Sequence, residues 1–122
     1  MAARSVLVTG GNRGIGLAIA QAMAKDGDNV TITHRTGEPP AGLSGVICEV
    51  TDTESVKEAV AQVEKDQGPI DVLVANAGIT RDQLLMRMSD DEYESVVNTN
   101  LGGAFRCVRA VSRSMIKRRS FP

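Results

Sequence analysis

Residues Val6–Lys25 read VLVTGGNRGIGLAIAQAMAK, and this stretch decides the fold. Val6, Leu7 and Val8 make a short apolar run with two β-branched members, the mark of a buried strand. Thr9 to Gly16 then carry four glycines in eight residues. From Ile15 onward apolar residues recur at helical spacing, at Ile15, Ala18, Ile19, Ala22 and Met23. The order is strand, glycine-rich turn, helix.

That order suits an anion. A helix start leaves its first N–H groups without partners, and the helix dipole adds partial positive charge there. Gly10 lets the chain turn sharply out of the strand, Gly14 lets backbone approach a bound group, and Gly16 lets the helix pack closely. A pyrophosphate fits such a place. The spacing Gly10-x-x-x-Gly14-x-Gly16 differs from the general G-x-G-x-x-G fingerprint. An ordinary strand-to-helix turn would use glycine as well, so the triplet by itself leaves both readings open.

The 122 residues suffice for one modest domain, expected over 1–122, with apolar residues at 42% and charged residues at 24%. Aromatics are only 2%, so Val, Ile, Leu, Ala and Met must build the core. Cys48 and Cys107 have no metal-ligand spacing and read as reduced, buried thiols of a cytoplasmic protein. GGNRG interrupts the one N-terminal apolar run, which argues against a signal peptide, and no run is long enough to span a membrane. All fifteen acidic residues precede position 100, whereas residues 101–122 hold six basic residues and no acid.

Further along, Asn29–His34 reads as a second strand, Gly45–Val50 as a third and Ile70–Ala75 as a fourth. Thr36–Ser44, with two prolines and two glycines, is a loop. Thr51-x-x-Glu54 predicts a capping box for a helix that Gly68-Pro69 ends. Ile79–Met88 reads as a loop. Ser89-x-x-Glu92 predicts a second box, opening one long helix toward Lys117. Apolar strands alternating with helical crossovers predict an α/β fold, a Rossmann-like, doubly wound parallel sheet cut to about four strands. Ligand is then expected at the carboxyl ends of the strands, where the first and fourth diverge.

Three groups of residues carry possible chemistry. Arg35 follows the second strand, nineteen residues after Gly16, where a dinucleotide fold reads the ribose. A cation there accepts a 2′-phosphate and favours NADP over NAD, with Arg13 able to join it; the plain alternative is a solvated loop arginine. His34, the one histidine, reads as a strand-end residue. Asn100 falls inside the apolar stripe Tyr93, Val96, Val97, Leu101, Ala104, Phe105 and Val108, where a buried amide must find partners; a structural bond to a neighbouring strand competes with a functional role. Gly102 and Gly103 cost roughly 1 kcal/mol each in a helix and suggest close approach by another backbone or a subunit. Arg106, Arg109, Arg113 and Lys117 share a helix face, solvated or docking an acidic partner. Without interleaved aromatics this stripe is a poor nucleic-acid footprint.

TGGNRGIG (Thr9–Gly16), NAG (Asn76–Gly78) and NTNLGGAF (Asn98–Phe105) together resemble the short-chain dehydrogenases/reductases over residues 4–118. The string NAGITRDQLLMRMSDDEYESVVNTNL is similar to the 3-oxoacyl-[acyl-carrier-protein] reductase branch, with polyketide ketoreductases the nearest alternative. The resemblance implies NADPH as cofactor, with Gly10, Gly11, Asn12, Arg13, Gly14, Ile15 and Gly16 on its pyrophosphate and adenosine. It implies Asn12, Arg13 and Arg35 near the 2′-phosphate, Glu49 and Val50 on the adenine, and Asn76, Ala77 and Gly78 along the cofactor and steadying the fourth strand. Asn100 matches the catalytic asparagine, and Arg119 a basic position linked to carrier-protein docking. Implied partners are an acyl-carrier protein bearing a β-ketoacyl group and further copies of the chain. The family's Ser and Tyr-x-x-x-Lys are not matched: the one tyrosine, Tyr93, is followed four residues later by Val97. The chain therefore reads as an amino-terminal part, incompetent alone, or as a non-catalytic NADP-binding module, with its fourth strand left as an apolar edge.

Overall fold

A computed structural model describes residues 3–79 and 85–118. Strands β1 (Ser5–Val8), β2 (Asn29–His34), β3 (Ser44–Ile47) and β4 (Val72–Val74) form one parallel sheet in the order β3-β2-β1-β4. Helix α1 (Gly14–Lys25) covers one face, and α2 (Thr53–Gln67) and α4 (Gly103–Arg118) cover the other. This is the expected doubly wound arrangement. The two-residue period of a strand explains its two cores. Val6 and Val8 of β1 point with Val30 and Ile32 toward Ala20 of α1. Leu7 points the other way, into Val56, Val60 and Val63 of α2, Cys107 and Val111 of α4, and Cys48, Val50 and Ile70. Every residue of β1 is buried, as a central parallel strand requires.

The two ends of the sheet differ. At the amino end, Gln67 closes α2 as a plug: its Oε1 accepts from Thr31 Oγ1 at 2.8 Å, while its Nε2 donates to Ser5 Oγ, the Val6 carbonyl and the Asn29 carbonyl at 3.0–3.1 Å. Buried polar groups there are thereby satisfied. The carboxyl end is left to the loops.

Several boundaries depart from expectation. β3 ends at Ile47 rather than Val50, because the Glu49 N–H turns to Ser55 Oγ (2.8 Å) and the Glu49 carbonyl accepts from Asp52 N–H (3.0 Å). β4 is shorter than Ile70–Ala75: the Ile70 N–H goes to Glu64 Oε2 at 3.1 Å, and the Asn76 N–H is taken by a side chain. The cap of α2 is Asp52, not Thr51; its carboxylate accepts from Glu54 and Ser55 N–H, while Thr51 Oγ1 donates to Glu49 instead. The Ser89–Glu92 box forms as expected. Among its described residues, the expected loop Ile79–Met88 contains a 3₁₀ turn, Leu85–Arg87; Thr80–Leu84 lie outside the described residues, as does Arg119. The long helix runs as α3 (Asp90–Val97), a π turn (Asn98–Gly102) and α4.

The apolar stripe on that helix faces the other way from the reading of a core-facing surface. Tyr93, Val97, Leu101, Phe105 and Val108 are exposed, and the buried face carries Gly103, Cys107 and Val111. Cys48 and Cys107 are the buried free thiols expected. Burial pushes the Cys107 thiol up to about 11 and raises Cys48 as well, the latter opposed by a hydrogen bond with Ser55. The thiol form therefore stabilises the fold below the ordinary value of 9.0, and that contribution is lost as pH rises toward 11. Iodoacetamide at pH 8 is expected to leave both cysteines unmodified until denaturant is added; mass spectrometry showing alkylation of the folded chain would contradict their placement.

Candidate functional site

A cleft of about 570 Å³ opens at the carboxyl ends of β1, β2 and β4. Its floor is set by the turn after β1. Gly10 and Gly14 adopt φ of +66° and +61°, a region that favours glycine, and these two residues reverse the chain between β1 and α1. The Gly10 N–H donates to Thr33 Oγ1 at 3.0 Å, which ties the turn to β2. Gly16 sits under the Gly10 carbonyl and the Asn76 amide, so a side chain there has no room. Gly11 faces Ile32 just as tightly.

The end of β4 is fastened to the same turn. Thr9 Oγ1 accepts from the N–H groups of Asn76 (2.9 Å) and Ala77 (3.0 Å), and Asn76 Nδ2 donates to the Gly10 carbonyl at 3.2 Å. Thr9 is 2% exposed, so both bonds form out of water. The cleft is thus bordered by two loops that share one rigid joint.

Helix α1 enters this cleft uncapped. α2 begins under the Asp52 carboxylate and α3 under Ser89, but α1 begins on Arg13 with no side-chain cap and no acid in its first turn. Its first N–H groups therefore offer positive charge to the cleft wall at Gly14, where a Cβ would meet nothing within 4 Å. Arg13 and Arg35, both exposed, stand along the same wall.

Of the residues singled out from sequence, Gly10, Asn12, Arg13, Gly14, Arg35, Val50, Asn76, Ala77 and Gly78 line the cleft. The others stand apart from its wall. Gly11 and Gly16 make the turn's close contacts behind it, and Ile15 is exposed. Glu49 reaches Arg35 instead: its Oε1 lies 3.3 Å from Arg35 Nε, while Oε2 accepts from Thr51. Arg35 remains solvent-exposed, as the plain reading of a solvated loop arginine expects, but one edge of its guanidinium pairs with Glu49. Thr33, His34, Thr36, Cys48, Ile79 and Thr99 complete the wall. Pattern reading passed over Thr9 and Thr33, although each is a polar residue within an apolar strand or at its end. His34 is more than a strand-end residue: it is buried in the wall and its Nδ1 has no hydrogen-bond partner among the described residues.

Asn100 is not buried, contrary to its place in the supposed core stripe. Its amide nevertheless has two partners. Oδ1 accepts from the Ile79 N–H at 2.8 Å, and Nδ2 donates to the Ile79 carbonyl at 3.0 Å. The partner is the loop beyond β4, not a strand. Gly78 lies directly against Asn100 Oδ1. The basic face is also not uniformly solvated: Arg109 lies over the Phe105 ring at 4.8 Å and donates to Thr53 Oγ1. Gly102 and Gly103 meet Arg106 and Val50 of the same chain, so no subunit is needed to account for them. Among the described residues, no cluster suits a metal ion and no helix is long and apolar enough to cross a membrane.

Comparison with known proteins gives consistent results. The family described as short chain dehydrogenase matches residues 4–120. The 3-oxoacyl-[acyl-carrier-protein] reductase MabA of Mycobacterium tuberculosis H37Rv is 58% identical over 112 residues, covering 92% of this chain and 45% of the relative. The 3-oxoacyl-[acyl-carrier-protein] reductase FabG of Escherichia coli K12 is 43% identical over 121 residues, covering 93% of this chain and 50% of that one. Among solved structures, ligand-free aldohexose dehydrogenase of Thermoplasma acidophilum superposes with a TM-score of 0.88 at 31% identity, over 94% of this chain and 45% of that one. The chain spans about half the length of these relatives.

Proposed function

The chain belongs to the short-chain dehydrogenase family, and from that premise we propose that it is the NADPH-holding portion of a 3-oxoacyl-[acyl-carrier-protein] reductase. The observation that carries the reading is the uncapped start of α1 beneath Gly14, flanked by Arg13 and Arg35. The cleft fits the cofactor: open space at Gly14 admits a pyrophosphate against the first-turn N–H groups, and two guanidinium groups stand where extra negative charge would be welcome. Glu49 holds Arg35 by Nε and leaves its terminal nitrogens for the 2′-phosphate. Val50, Ala77 and Gly78 then take the adenine and the run toward the nicotinamide, and Asn100 fixes the Ile79 peptide beside it. When bound, the nicotinamide supplies hydride for a β-ketoacyl thioester.

In this reading the chain has no proton donor for that step. Tyr93 is exposed on the outer face of α3, away from the cleft wall, with Val97 where a lysine partner would stand. A phenol needs a neighbouring cation to become a useful proton donor at neutral pH. The proposed activity of the 122 residues alone is therefore binding without turnover. Carrier protein and homo-oligomer partners, and a cytoplasmic setting, belong to the same proposal.

Calorimetric titration of the purified chain is expected to show NADPH binding and weaker NADH binding, with no β-ketoester-dependent NADPH oxidation. Arg35→Gln is expected to weaken NADPH by roughly 10- to 100-fold, the worth of a charge-assisted contact, and to leave NADH nearly unchanged. Indifference to both cofactors, or turnover at enzymatic rates, would overturn the proposal.

A further inference from the structure

We infer that Arg106 is the positioning residue for Asn100, bolting the π turn that carries Asn100 to the cofactor-side wall at Val50. The inference rests on the preceding reading only in calling Asn100 functional. Arg106 lies one turn into α4, yet its guanidinium turns back across the helix. Nη1 donates to the Val50 carbonyl at 3.0 Å and to the Asn98 carbonyl at 3.2 Å, while Nη2 donates to Asn98 Oδ1. One side chain thus grips the first residue of the π turn and the loop after β3.

The sequence around it is shaped for that grip. At Gly102 an added Cβ would lie 3.0 Å from both Arg106 Nη1 and Asn98 Oδ1, so the guanidinium crosses where a larger residue would stand. At Gly103 an added Cβ would lie 2.9 Å from Val50 Cγ2, so α4 seats directly on the same wall residue. The two glycines that weaken the helix are the two that admit the contact.

The geometry needs an external clamp. A π turn widens the hydrogen-bond ring and draws carbonyls out of line with their helical donors. Asn98–Gly102 is such a turn, and Asn100 is its middle residue. Its wide ring lets the Asn100 amide reach across to both the N–H and the carbonyl of Ile79. The planar fork sends donors from two separate nitrogens, Nη1 to the two carbonyls and Nη2 to Asn98 Oδ1, a span that the single nitrogen of an ammonium group does not offer. Arg106 therefore transmits the position of the Val50 wall to the Asn100–Ile79 clasp.

Hydrogen exchange and NMR of the purified chain without cofactor test this. Arg106→Met is expected to speed exchange of the Ile79 N–H by roughly 10- to 100-fold and to shift the Asn100 side-chain amide resonances, with β1 amides such as Leu7 unchanged. Arg106→Lys is expected to restore part of the protection, since its single nitrogen covers only part of that span. Should Arg106→Met fail to fold, Asn98→Ala, which leaves the Val50 contact in place, is expected to speed Ile79 exchange selectively. Unchanged Ile79 exchange and Asn100 resonances in folded Arg106→Met would overturn the inference, as would unchanged values in Asn98→Ala where the methionine variant does not fold. Because no cofactor is present, failure of NADPH binding leaves this result standing and speaks only against the proposed function.

Discussion

Gly16→Ala is expected to lower the unfolding midpoint of the chain sharply and to remove cofactor binding with it. Two effects oppose each other at this position. Alanine in place of glycine favours a helix by about 1 kcal/mol. The added Cβ, however, would overlap the Gly10 carbonyl and the Asn76 amide, well inside van der Waals contact. One of these is backbone of a turn already fixed by the Gly10 N–H bond to Thr33, so it cannot swing aside. Overpacking of this kind costs typically 1–3 kcal/mol and at times more, which outweighs the propensity gain. It also spreads the joint between the glycine turn and Asn76, whose amide bonds the same carbonyl. Gly14→Ala is the informative control. Its Cβ meets nothing, and its cost is the roughly 1–2 kcal/mol of a left-handed backbone alone. Urea denaturation should rank the two variants in that order; a Gly16→Ala chain as stable as the wild type would mean that the turn is not packed as described.

Thr9→Val is expected to be the most damaging substitution that leaves side-chain volume almost unchanged. The Thr9 hydroxyl oxygen accepts from two backbone N–H groups, of Asn76 and Ala77, at 2.9 and 3.0 Å. Valine keeps the shape and removes the acceptor, leaving two donors unpaired in a buried joint. At about 1–3 kcal/mol for each unsatisfied group, the loss approaches half the stability of a marginal domain. Thr9→Ser keeps the oxygen and is expected to lose no more than about 1 kcal/mol, the worth of a methyl. Equal stability of the valine and serine variants in the same denaturation experiment would refute the role given to the hydroxyl. NADPH titration of the two should diverge as well, because the loop that Thr9 holds is the one that lines the cleft from Asn76 to Gly78.

These two residues mark where pattern reading works and where it stops. Gly16 announces itself, because a glycine at the start of an otherwise apolar helix has no reason to be there except room. Thr9 does not, because threonine is an ordinary strand residue and its partners lie 67 and 68 positions away in the chain. The same holds at the other edge of the cleft. A charged face at three- and four-residue spacing looked uniform along α4, yet Arg106 and Arg109 each turn to partners 56 residues distant. The apolar stripe of α3 and α4 was read as core because hydrophobic periodicity reports amphipathicity without direction. The sheet instead takes the opposite face, where small residues at Gly103 and Cys107 allow α4 to lie close.

Local sequence by itself determined the strand–turn–helix at Val6–Lys25, the extent of β2, the Ser89 cap and the parallel order of alternating elements. Each follows from steric and hydrogen-bond preferences that act over a few neighbouring residues. Tertiary structure alone decided that Arg35 is held by Glu49, that the helix breaks its period at Asn98–Gly102, and that Asn100 grasps the backbone of Ile79 beyond β4. Those outcomes depend on which donors and acceptors the sheet brings within about 3 Å of one another, and separation along a chain carries no information about that distance.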